Sequence, residues 1–342
     1  MFTTPLVAAI RRTHPGAHLT YAVEPAAAPV LQGNPHLNAL LVIPRRRGLG
    51  RLADDLRVAR QLRHGRFDVA VDLHGGPRSA WLTWASGAPR RIGYAMTGRA
   101  WMYTDVVART PEPASRHSVL NQWDLLGPLG VAGPPEPALT RVEMSGDPDA
   151  SGRVDRLLAS AGWQPPQPLI VVHVSASNPF KRWPAGSFVD LLVRLLDGHP
   201  DRSACVVSGP SEPAAAAEVA DRARTALGGA THTILAPQLD LGELRALVTR
   251  ASVYIGGDSG PLHVAATTDT PIVELLGPTV ASRSFPWRPS TRFAATIESG
   301  PLPCRPCDER TCVPGDFRCL TRISPAQVVE AAERALAAGR PA

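Results

Sequence analysis

The chain has 342 residues, 44% of them hydrophobic and 19% charged, with 36 Lys plus Arg against 30 Asp plus Glu and a formal charge of +6. That length supports two domains with full apolar cores, the composition is that expected of a soluble globular chain, and no apolar run approaches the roughly 20 residues with which a helix crosses a bilayer. No signal-peptide pattern opens the sequence, so a cytoplasmic location is expected, and the surplus positive charge favours anionic partners.

Strands and helices alternate from the start. Residues Thr4 to Arg12, Arg51 to His64 and Arg78 to Ser86 read as helices, and His18 to Val23, Ala39 to Ile43 and Phe67 to Leu73 as strands. Within the last of these, Asp72 is the one carboxylate with a case as an active-site base, although a structural role suits it better. Basic residues gather at Arg45, Arg46, Arg47 and Arg51, and again at Arg78, Arg90, Arg91 and Arg99. From Val131 to Asp149 the runs Gly133-Pro134-Pro135-Glu136-Pro137 and Gly146-Asp147-Pro148 mark a linker. A helix from Ala150 to Ala161 and a Pro-rich turn follow. The second half then supplies strands at Leu169 to Val174, Ala204 to Ser208, Val253 to Ile255 and Ile272 to Leu275. Such alternation predicts parallel sheets covered by helices on both faces, with ligands at the carboxyl ends of the strands.

Two loops at such ends point to a phosphate. The first is Ser175-Ala176-Ser177-Asn178-Pro179-Phe180-Lys181-Arg182-Trp183-Pro184, which contains the single lysine of the chain. An ammonium acts on phosphate as a compact point charge, where a guanidinium imposes a planar fork. The second is Gly256-Gly257-Asp258-Ser259-Gly260-Pro261-Leu262-His263, a strand that breaks into a glycine turn and a helix start. Backbone N–H groups at a helix start favour anions, and Pro261 fits a first turn where its missing N–H costs nothing.

Together these segments resemble glycosyltransferase family 9, the ADP-heptose:lipopolysaccharide heptosyltransferases. Carrying the resemblance are the loop ending in Lys181-Arg182-Trp183-Pro184, the turn Asp258 to His263, and Gly277-Pro278-Thr279. Phe67 to Gly75 with Arg78, and Arg90-Arg91-Ile92-Gly93-Tyr94, extend it through the first half. It implies an α/β chain with the GT-B fold, two Rossmann-like domains whose parallel sheets face a cleft. The expected boundaries are an acceptor-side domain over 1–145, a nucleotide-sugar domain over 150–322 and a last helix over 324–339.

The resemblance further implies inverting, metal-independent transfer of a heptose or related sugar from an ADP-activated donor to a lipopolysaccharide inner-core acceptor. No cofactor, metal or nucleic acid is expected. Ser175, Ser177, Lys181, Glu212, Asp258, Ser259, Gly260 and His263 are expected at the donor, with Lys181 catalytic through the departing diphosphate and Glu212 on the adenosine ribose. Arg78 and Arg91 are expected at the anionic, lipid-linked glycan acceptor, with peripheral contact at the inner face of the cytoplasmic membrane. The family's first strand and the Gly-Asp loop bearing its aspartate base have no counterpart before Thr4, so the catalytic base stays unassigned and Met1 is expected to be an internal methionine. Two other functions share these features: a non-catalytic nucleotide-sugar binder, in a short form, and a nucleotide-sugar epimerase of the same fold. Cys304, Cys307, Cys312 and Cys319 put four sulfurs near one another, for which thiols or a disulfide are expected before zinc.

Overall fold

The structure is a computed structural model that describes residues 1–44, 46, 48–110, 116–133, 135–138, 140–176, 178–228, 232–307 and 311–339. Ser177, Arg45 and Arg47, singled out in the sequence, lie outside the described residues. The chain divides into two compact units, Phe2–Ser145 and the residues from Gly146 onward.

In the first unit, helix α1 (Thr4–Thr13) carries Pro5 in its first turn and buries Thr4 to Ala9, while Arg11 and Arg12 face the negative end of its dipole. Arg11 reaches further, donating to the carbonyls of Pro15, Ala17 and His36. Strands β1 (Thr20–Val23) and β2 (Ala39–Val42) pair in parallel, with Thr20 opposite Ala39. After α2 (Leu49–His64) comes a separate parallel sheet of β3 (Val69–Val71), β4 (Arg90–Tyr94) and β5 (Asp105–Val107), with α3 (Pro77–Ala85) between its first two strands and α4 (Ser118–Trp123) beyond it. The sequence motif Arg90 to Tyr94 is therefore the middle strand of that sheet. Its glycine has a packing reason: a Cβ on Gly93 would stand 2.4 Å from the Tyr103 ring, which lies against the strand there.

The second unit opens with α5 (Pro148–Ser160), capped by the Asp147 carboxylate, which accepts from the Asp149 and Ala150 amides. Its sheet has six parallel strands: β6 (Leu169–His173), β7 (Ser203–Val207), β8 (Ile234–Leu235), β9 (Val253–Gly257), β10 (Ile272–Leu276) and β11 (Ala294–Glu298). They run in the order β11-β10-β9-β6-β7-β8. One face carries Ile170, Val172, Val206, Ile255 and Val273, packed by Phe188, Leu191 and Leu195 of α6 (Ala185–Leu196), Ala216 and Val219 of α7 (Pro213–Ala226), and Val328 and Ala332 of α10 (Pro325–Ala338). Helices α8 (Leu241–Arg250) and α9 (Gly260–Ala265) follow β8 and β9. The chain leaves β6 toward β7 and β8, then returns to build β9 to β11 on β6's other edge. This reversal makes the carboxyl ends of β6 and β9 a switch point, where loops diverge and a ligand fits.

Candidate active site

Both phosphate-type loops sit at that switch point. The loop after β6 closes in a single 3-10 turn, Pro179–Lys181. The Asn178 side chain accepts from the Phe180 amide, and the Asn178 carbonyl from the Lys181 amide. Just beyond, Trp183 is 3% exposed, packs edge-on against Phe188 and donates its indole N–H to the Ile323 carbonyl at 3.0 Å. The aromatic thus anchors the end of the loop two residues beyond Lys181.

Lys181 Nζ donates to Asp258 Oδ2 at 2.5 Å. The same oxygen accepts from Thr279 Oγ1 at 2.8 Å, and Asp258 Oδ1 stands 3.8 Å from His263 Nε2. Burial opposes ionisation of Asp258, yet the Lys181 ammonium, the Thr279 hydroxyl and His263 outweigh it and hold its carboxyl below the usual carboxylate range. Lys181 remains about a third exposed while Asp258 is buried. A cation held from behind by a buried carboxylate, with its front open, is suited to an anionic ligand.

Around this pair the other expected residues take distinct places. Ser259 immediately precedes α9, and its buried hydroxyl has no hydrogen-bond partner among the described residues. Gly260 opens onto free space, since nothing would touch a Cβ there. Gly256 is small for an internal reason instead: a Cβ would meet the Tyr254 hydroxyl at 2.9 Å. Gly257 is tight against the Lys181 carbonyl, 3.2 Å from its ideal Cβ, so the two loops touch through backbone. Ser175 Oγ accepts from the Gly209 amide at 2.6 Å and keeps its proton to donate. Glu212, just before α7, pairs with Arg182, whose Nε also donates to the Ala176 carbonyl. That pair binds the β7 loop to the β6 loop.

In the first unit Arg78 and Arg91 stand apart in the fold. Arg78 donates to Asp55 and to the Pro44 carbonyl, and Arg91 to the carbonyls of Met102 and Ala88. Asp72 is fully engaged: Oδ1 accepts from the His74 and Gly75 amides, and Oδ2 from the Tyr103 hydroxyl at 2.7 Å. It holds a turn together, with three of its roughly four acceptor positions taken by the fold.

Three contributors escape the motif reading. Arg305, from the cysteine-rich segment, donates through Nε and Nη2 to the Thr279 carbonyl and pairs with Glu298, while the Cys307 amide donates to the Pro278 carbonyl. That segment is the clasp on the Gly277-Pro278-Thr279 turn. Cys304, Cys307, Cys312 and Cys319 are thiols, and among the described residues no group of three His, Cys, Asp or Glu is arranged to hold a metal ion. Glu274, fully buried on β10, is the third. Its signal was there to see, one charge in the apolar run Ile272-Val273-Glu274-Leu275-Leu276.

Comparison with known proteins places the chain. The profile of Glycosyltransferase family 9 (heptosyltransferase) matches residues 56–317. Lipopolysaccharide heptosyltransferase 3 of Escherichia coli is 27% identical, over 84% of this chain and 82% of its own. Among solved structures, a family 9 glycosyltransferase from Veillonella parvula superposes with a TM-score of 0.79 at 24% identity, covering 98% of this chain and 93% of its own. The E. coli ADP-heptose lipopolysaccharide heptosyltransferase II gives 0.77 at 20% identity, with 98% and 94% covered. These two likenesses establish the fold, which is GT-B.

Proposed function

The chain belongs to glycosyltransferase family 9 and is a glycosyltransferase of the heptosyltransferase type, and we propose that it transfers a heptose or related sugar, with inversion and without a metal, from an ADP-activated donor to an anionic inner-core acceptor. The observation carrying this reading is the Lys181–Asp258–Thr279 cluster. As the glycosidic bond to the donor phosphate breaks, negative charge collects on the leaving ADP. A preorganised ammonium at that position stabilises the transition state more than the ground state, the task a divalent ion would otherwise perform. Asp258 aims Lys181, Thr279 aims Asp258, and the Ser259 hydroxyl and the Gly260 amide supply further donors toward the diphosphate. Ser175 adds a hydroxyl from the same loop, and His263 supports Asp258 from α9. Glu212, released from Arg182 or shared with it, receives the ribose diol.

On the acceptor side, Arg78 and Arg91 contribute the N–H edges of their guanidinium groups left by their contacts with Asp55 and the backbone, and suit carboxylate or phosphate on the glycan. A lipid-linked acceptor implies work at the inner face of the cytoplasmic membrane. The exposed Trp101, in edge contact with Trp84, offers an apolar point for peripheral contact there. Among the described residues no helix is long and apolar enough to cross a membrane.

The test is transfer itself. Incubation with ADP-heptose and a heptose-deficient lipopolysaccharide in EDTA should release ADP and yield a product whose new anomeric centre is inverted by NMR. ADP alone, at a hundredfold over its Kd, should raise stability by about 2.7 kcal/mol. ADP binding without any transfer to such acceptors would leave a nucleotide-sugar binder, and a strict requirement for Mg²⁺ would remove Lys181 from its role.

A further inference from the structure

A row of polar groups crosses the sheet directly behind the donor loops. In register, His173 of β6 lies beside Gly256 of β9, Gly256 beside Glu274 of β10, and Glu274 beside Thr296 of β11. Residues in register on adjacent strands point to one face, so His173, Glu274 and Thr296 share a side of the sheet, with a gap at the glycine. The Tyr254 hydroxyl fills that gap, since it sits where a Gly256 side chain would begin. Thr296 Oγ1 donates to Glu274 Oε2 at 3.0 Å. Glu274 Oε1, the Tyr254 hydroxyl and both His173 ring nitrogens are buried and have no hydrogen-bond partner among the described residues.

Buried polar atoms are almost always satisfied, and an ionised carboxylate with one donor in a dry interior is the least tolerable case. Glu274 avoids it by keeping its proton, which also gives the row a hydrogen-bond donor. Burial drives this, reinforced by the Asp258 and Glu298 carboxylates, and pushes the Glu274 carboxyl up to about 8 against the opposing pull of Thr296 and Lys181. Burial likewise lowers His173 to about 4, so it is neutral and lends no positive charge to the row, and it keeps the Tyr254 phenol protonated. The charged and titratable groups facing Glu274 are therefore Asp258 at the end of β9, Lys181 on the 3-10 turn and Glu298 on β11, with His263 of α9 next to Asp258.

We infer that Glu274 is a positioning residue of the donor site that must be uncharged for a diphosphate to bind. The inference rests on the donor-site reading of Lys181 given above. Without ligand, Lys181 and Asp258 cancel. A diphosphate adds at least two negative charges in front of them, and an ionised Glu274 behind them would oppose those charges through low-dielectric protein. Nucleotide binding and the Glu274 proton are consequently linked: each holds the other in place.

The experiment is calorimetric titration of the intact protein with ADP, in EDTA, from pH 7 to 9.5, in wild type, Glu274→Gln and Lys181→Ala. If only the neutral form binds, wild-type affinity falls about tenfold from pH 7 to pH 9, in proportion to the competent fraction. Glu274→Gln, a permanent mimic of the neutral acid, should bind as wild type does at pH 7 and stay within about twofold across the range. Titration at pH 8 to 9 in buffers of different ionisation enthalpy should reveal proton uptake on binding that grows with pH. That wild-type measurement decides the matter even if the variant fails to fold. Equal pH profiles for wild type and Glu274→Gln, or no proton uptake at pH 8 to 9, overturn the inference. Failure of the donor-site reading looks different: wild type would not bind ADP at any pH, or Lys181→Ala would bind it equally well.

Discussion

The two units bury their strands to different degrees. In the second, β6, β7 and β10 are buried at every position and β9 at all but its last. In the first, no residue of β1, β2, β3 or β5 is fully buried, and Val42, Val69 and Val106 are among the exposed hydrophobics. A strand flanked on both edges and covered on both faces has no slack, because its backbone bonds and side-chain packing must fail together. The Lys181–Asp258 pair hangs from the ends of such strands, so its charges are held in advance of the ligand. Transition-state stabilisation depends on that preorganisation.

The broadest test of this contrast is hydrogen exchange. Amides of Val171, Ile255 and Val273 should exchange at least about 10³-fold more slowly than those of Leu40, Val69 and Val106, a gap of roughly 4 kcal/mol in opening free energy. Uniform protection across both units would end the comparison.

Next in size is chemistry: Lys181→Ala should lower turnover by about 10²–10³-fold while the chain still folds, the scale of removing one preorganised donor. Near-normal turnover would make Lys181 a surface charge.

Packing gives a third contrast. Leu192→Ala, fully buried on α6, should cost about 2–5 kcal/mol in chemical denaturation, whereas Val69→Ala on the exposed β3 should cost under about 1 kcal/mol. Comparable costs would show the first unit to be as tightly packed as the second.

The pH dependence of stability follows from Glu274. Its folded carboxyl titrates near 8, above the ordinary 4.5, so between these values the native state holds a proton that the unfolded chain has released. Stability from this group is lost as pH rises through that window and is unaffected below it. Glu274→Gln should remove that slope, and an unchanged slope would mean the carboxyl ionises freely.

The smallest effect is expected at Tyr103→Phe, which takes one donor from Asp72 and leaves the His74 and Gly75 amides in place. About 1 kcal/mol of stability should go, with turnover intact. A large fall in turnover would return Asp72 to consideration as a base.

Much of this was legible in the sequence, unevenly and for physical reasons. Strands β6, β7, β9 and β10 stand out because burial on both faces demands unbroken apolar runs such as Leu169-Ile170-Val171-Val172. Strand β4 was hidden, because a half-buried strand tolerates Arg90 and Arg91 at its start, and β11 begins with two alanines. The loops bearing Lys181 and Asp258 were readable because glycine, proline and a lone lysine are local signals. Their partnership was not, since Lys181 and Asp258 are 77 positions apart and nothing local pairs them. Glycines show the same limit: Gly256, in the strand that breaks into the glycine turn, and Gly93, in the Arg90 to Tyr94 motif, each make room for a tyrosine of the fold itself. Trp183 read as part of a motif, and only the packing shows that it is the loop's anchor.

Lys181 has a further consequence as the chain's only lysine. A protease that cuts after lysine finds one bond here, Lys181–Arg182, and it yields the fragments 1–181 and 182–342. An acylating reagent finds one side-chain amine. The candidate active site therefore contains its own footprinting label: the fraction of chain left uncut, or left unacylated, reads directly how much of the site is occupied.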